Sequence, residues 1–84
     1  ALVVSDLVGD DVIICQITSH LSRDIYSISL DNNDFDNGGL NHNSNIRPNR
    51  IVTIDYNIII KRVGNLKSEK VNEVINKIKE LLDS

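Results

Sequence analysis

The side chains able to handle a phosphate gather in two stretches of this sequence. Gln16-Ile17-Thr18-Ser19 closes an apolar run with small hydroxyls, and Arg47, Arg50, Lys61 and Arg62 follow later with only Asp55 among them. Hydroxyls beside guanidinium groups make a site for a phosphodiester, because they hold its oxygens and stabilise charge that develops there. The residues alone leave a second reading open, in which Thr18 terminates a strand and caps the next turn. Other templates each lack a required part. Gly38-Gly39 is not followed by Lys-Ser/Thr, so a nucleotide-binding phosphate loop is not expected. With His20, His42 and Cys15 as the only imidazoles and thiol, no zinc set is assembled. Ser19 and His20 are adjacent, and neighbours in an extended strand point to opposite faces, so they do not form a nucleophile–base pair. The stretch beginning at Asp31, DNNDFDNGG, has neither the Gly in phase nor the closing Glu of a calcium loop.

These residues need a frame, and the chain is long enough for one small domain spanning residues 1–84. A lone cysteine rules out an intramolecular disulfide and fits a reducing cytoplasm. No apolar run is longer than residues 12–15, against the roughly 20 residues a membrane helix needs. A net charge of −3 argues against a protein that coats nucleic acid through bulk charge. The charge is segregated, however, with Asp31, Asp34 and Asp36 preceding the basic stretch, and that leaves room for a local anion-binding face.

The pattern predicts strands over residues 1–4, 12–17 and 24–30, with turn residues at 6–10 and a polar loop over 31–44. Residues 45–55 read as two strands or one bent strand interrupted by Pro48, which belongs at an edge or bulge, and residues 58–63 as a further strand stopped by Gly64-Asn65. From Ser68, a predicted cap, Val71, Val74, Ile75, Ile78, Leu81 and Leu82 recur at helical spacing. The expected fold is mainly β: a small, bent antiparallel sheet or barrel of about five to six strands with a C-terminal amphipathic helix on one side.

In order and together, these segments resemble the MazF/PemK (Kid) toxins of bacterial type II toxin–antitoxin systems. ALVVSD resembles the family's second strand, DVIICQITSH its apolar strand closed by Ile-Thr-Ser, and YSISLDNNDFDNGGL its next strand and loop. SNIRPNRIVTID and IIIKRVGNLKSEKVNEVINKI resemble the later strands and terminal helix of one branch. The resemblance implies a small SH3-like barrel, usually dimeric, that cleaves single-stranded RNA at short sequences without a cofactor or metal. The ribose 2′-hydroxyl would attack the adjacent phosphate, leaving a cyclic phosphate and a 5′-hydroxyl. Thr18 matches the threonine that hydrogen-bonds the scissile phosphate, and Ser19 has a supporting role. Arg47, Arg50 and His20 are the expected RNA contacts, and an antitoxin whose tail folds into the RNA groove is the expected protein partner.

The same resemblance places a first strand and an Arg-Pro pair ahead of the segment matching Ala1, with that Arg as the main catalytic residue. Neither is found in these 84 residues, so a weakened or inactive enzyme is the expectation. Val52 stands where familiar members carry an Arg. Two alternatives share the fold: a gyrase-poisoning toxin that acts by protein binding, and an inactive decoy that captures antitoxin.

Overall fold

Apolar runs separated by Gly, Asn and Asp give short strands, and the computed structural model describes them over residues 1–6, 9–19, 25–59 and 63–83. The elements are β1 (Leu2–Asp6), β2 (Asp11–Thr18), β3 (Ile28–Leu30), β4 (Phe35–Gly38), β5 (Ser44–Asp55), β6 (Gly64–Leu66) and α1 (Ser68–Asp83), with 3-10 turns at Asn32–Asp34 and Tyr56–Ile58. One antiparallel sheet has the order β1-β2-β5-β3, and β4 pairs with β6 in a second, two-stranded sheet. The chain is therefore mainly β with a C-terminal helix, as the pattern predicts. Val12 and Cys15, which lie on opposite faces of β2, are both buried, so that strand is covered on each side along part of its length.

The core gathers Cys15 from β2, Ile28 and Leu30 from β3, Ile46 from β5 and Val74 from α1. Helix α1 lays its stripe over this cluster, with Val74 fully buried and Ile78 packed at its edge. Leu82 departs from the predicted stripe and is 77% exposed, because it lies in the last turn. The helix start also differs by one position. The Lys67 carbonyl accepts from Val71 N (3.2 Å), so Lys67 holds the capping place and Ser68 is the first helical residue.

Three further segments differ from the sequence expectation. Among the described residues of the predicted strand 24–30 only Ile28–Leu30 pairs, Ile25 and Tyr26 form a turn, and Asp24 lies outside the described residues. The segment 31–44 contains β4, because its few apolar residues are anchors: Phe35 and Leu40 pack on the core. Its polar residues are tied down locally. Asp31 and Asp34 cap the 3-10 turn reciprocally, and Asn32 Oδ1 accepts from Leu40 N (3.0 Å). Strand β6 falls on Gly64-Asn65-Leu66, where a stop was expected, while Tyr56–Ile58 is a 3-10 turn; residues 60–62 of the predicted strand lie outside the described residues. Two glycines explain the β4–β6 pairing. Gly38 (φ +70°) sits opposite Gly64, and a Cβ on either would overlap backbone of the other strand.

Candidate functional site

The site is built on the β2–β5 ribbon. Register pairs Thr18 with Asn45, Ile17 with Ile46 and Gln16 with Arg47. Residues directly opposite in an antiparallel pair share a face, and so do residues two apart in one strand. Thr18, Gln16, Asn45 and Arg47 therefore occupy one face of the sheet, while Ile17 and Ile46 turn to the core and α1. Thr18 and Arg47 are half-buried, and Thr18, Asn45 and Arg47 each have interaction partners within the chain.

Immediately beyond Arg47 the register jumps. Gln16 faces Arg47 but its neighbour Cys15 faces Ile51, which leaves Pro48, Asn49 and Arg50 as extra residues on β5. Pro48 causes the break in the ladder, since it has no N–H to donate, and its ring is fully buried. β5 is thus one strand bent at Pro48 rather than two. The thiol of Cys15 donates to the Arg47 carbonyl (2.9 Å), which supplies a donor where the ladder is broken. Burial pushes that thiol up to about 11, so it stays a neutral donor throughout the physiological range.

Bulging places Asn49 and Arg50 at the surface, where with Gln16 they line a groove of about 450 Å³ whose apolar walls include Ile14, Ile51 and Val52. A larger trough of about 860 Å³ has an apolar lining that includes Leu2, Phe35, Leu40 and Val71, with Ser19 at its surface. Ser19 thus faces the trough, one residue beyond Thr18, and is not gathered with Thr18 and Arg47. His20 lies outside the described residues.

The opposite end of the same ribbon is acidic. Asp11 faces Asp55, and Asp10 joins them through Asn57, whose amide donates to Asp55 Oδ1 (2.8 Å) and whose side chain donates to Asp10 Oδ2 (3.4 Å). A polyanion approaching the ribbon is drawn to the Arg47–Arg50 end and repelled from the other. Among the described residues no group of three or more His, Cys, Asp or Glu side chains is arranged to hold a metal ion, and no helix is long and apolar enough to cross a membrane.

Gln16, Asn45 and Asn49 are the site residues that a search for hydroxyls and charges passes over. Alternation from Thr18 could have pointed to Gln16, but the placement of Asn49 depends on a register jump that only Pro48 hints at. A family model described as PemK-like, MazF-like toxin of type II toxin–antitoxin system matches residues 1–82. No curated protein matches the chain.

Proposed function

We propose a function from one premise: this chain belongs to the PemK-like, MazF-like toxins of type II toxin–antitoxin systems. Membership implies an antitoxin partner. The proposed toxic activity is cleavage of single-stranded RNA in the cytoplasm. The observation that carries it is the single sheet face shared by Thr18, Gln16, Asn45 and Arg47, beside a groove edged by Arg50.

On that face the Thr18 hydroxyl donates to a non-bridging oxygen of the scissile phosphate, and the Arg47 guanidinium offsets the charge that builds on the phosphorane. The ribose 2′-oxygen bonds to phosphorus as its proton passes to solvent, and the bond to the 5′-oxygen breaks as that oxygen takes a proton from solvent, leaving a cyclic phosphate and a 5′-hydroxyl. The nucleophile comes from the substrate, so this route uses no metal-bound water. Arg50 holds a neighbouring phosphate. Ser19, turned toward the trough, supports Thr18 through the backbone alone, and His20 is assigned RNA contact from its place after the Ile-Thr-Ser signature. A homodimer is supported by the exposed apolar side chains of Val3, Tyr56, Ile58 and Val63.

Incubating single-stranded RNA with the chain in the presence of a chelator, and mapping product ends, tests the reading. Products with 5′-hydroxyl ends are expected in low yield, as for a weakened enzyme, and at least about a hundredfold less with Thr18→Ala. Intact RNA even at stoichiometric amounts of the chain, or cleavage unchanged in Thr18→Ala, would overturn it.

A further inference from the structure

We infer that Cys15 is a positioning residue for Arg47: from within the core, its thiol holds the peptide whose orientation sets where the guanidinium points. The inference rests on the RNA-cleaving reading and adds to it the group that keeps Arg47 in place. Arg47 is the last residue of β5 paired before the register jump, since Gln16 faces Arg47 whereas Cys15 faces Ile51. The peptide that follows joins Arg47 to Pro48 and has no N–H, so its carbonyl is the one polar handle by which it can be held. That carbonyl accepts from the Cys15 thiol at 2.9 Å, and Cys15 is fully buried.

Packing alone does not call for a thiol here. A buried cysteine fills space as a small hydrophobe, and a small apolar residue would serve among Ile28, Leu30, Ile46 and Val74. What such a residue lacks is the donor, and burial keeps the thiol in its protonated, donating form. Holding the Arg47 carbonyl fixes the backbone torsion between the Arg47 Cα and the bulge. The direction in which the side chain leaves β5 is thereby fixed as well, toward the face it shares with Gln16 and Thr18. In this reading the guanidinium acts on charge that builds only in the phosphorane. A displaced guanidinium therefore slows bond formation more than it weakens RNA binding, and a shift of about 1 Å can cost up to roughly a hundredfold.

The test is single-turnover cleavage of single-stranded RNA by an excess of the chain, with a chelator present, for wild type, Cys15→Val and Cys15→Ser. The maximal rate and the half-saturating chain concentration are read separately. Cys15→Val keeps an apolar filler and removes the donor; it is expected to lower the maximal rate about tenfold and to change half-saturation by less than about twofold. Cys15→Ser keeps a donor, and its maximal rate is expected to stay within about threefold of wild type, although a hydroxyl suits an apolar core less well. The NMR resonance of the Arg47 carbonyl carbon reports the bond itself, and should move in Cys15→Val and return toward the wild-type position in Cys15→Ser. A purely structural role would rank the variants the other way, Val above Ser. An unchanged rate in Cys15→Val, a Cys15→Ser rate as low as that of Cys15→Val, or a loss confined to half-saturation would overturn the inference alone. RNA left intact by the wild type would overturn the nuclease reading and this inference with it.

Discussion

Strand β5 behaves as two strands joined at Pro48. Its first half, Ser44 to Arg47, lies between β2 and β3, with Asn45 and Ile46 paired on both sides, and alternates buried and half-buried residues. Its second half pairs with β2 alone, and Ile51, Val52 and Thr53 are exposed. The first half is held by the core on one face, which is what allows its other face to present Arg47 alongside Gln16 and Thr18 of β2. The second half has an acidic end and apolar residues open to solvent. Core support and the polar face of the proposed site thus coincide in one half, and the bulge between the halves makes the groove.

The contrast can be broken most severely at Ile46, which is fully buried at the centre of the first half. Ile46→Ala is expected to cost about 4 kcal/mol in a urea melt, a large fraction of the stability of so small a domain. The next effect is on pH. The folded Cys15 thiol keeps its proton to about 11, whereas the unfolded chain releases it near the ordinary value of 9.0. Rising pH therefore favours the unfolded state: stability is complete below about pH 9, falls by on the order of 2–3 kcal/mol between 9 and 11, and levels off above. Comparing wild type with Cys15→Ala across that window isolates the effect, and the variant should lack this component of the fall.

A smaller loss is expected at Lys70, which ties α1 to the sheet. Its ammonium donates to the Ser29 carbonyl (3.1 Å) and lies 3.6 Å from Asp34 and 3.1 Å from Glu73, with the side chain only 14% exposed. Lys70→Met should cost about 1 kcal/mol, while Lys77→Met, at the more exposed Lys77–Glu80 pair, should cost less than about half of that. Smallest of all, Val52→Ala in the second half of β5, at a residue 56% exposed, should change the urea midpoint by less than about 0.5 kcal/mol equivalent. A cost there matching that at Ile46 would erase the distinction between the halves.

Fold class was legible because the stripe from Val71 to Ile78 recurs at helical spacing, while the apolar run over residues 12–15 is short and follows the turn residues Gly9 and Asp10, which mark it as a buried strand. Strand β4 was hidden because Asp31, Asn32 and Asp34 read as loop residues, whereas in the fold they cap a turn and secure Leu40. Strand β6 was hidden because glycine at 64 signals a stop, although its lack of a Cβ is what admits Gly38. Thr18 and Arg47 were legible by residue type. Their sharing a face was not, since it depends on a register fixed by long-range pairing, and neither was the groove, since it depends on the three residues by which β5 outruns β2.

The most direct test of the two-halves account is an NMR titration of the chain with a short single-stranded RNA carrying 2′-O-methyl groups. Amide shifts are predicted to concentrate at Gln16, Thr18, Asn45, Arg47, Asn49 and Arg50 and to leave Asp11, Asp55 and Tyr56 unmoved. Shifts centred on the acidic end of the ribbon, or none at Thr18 and Arg47 under saturating RNA, would contradict the claim that the first half of β5 carries the phosphate site.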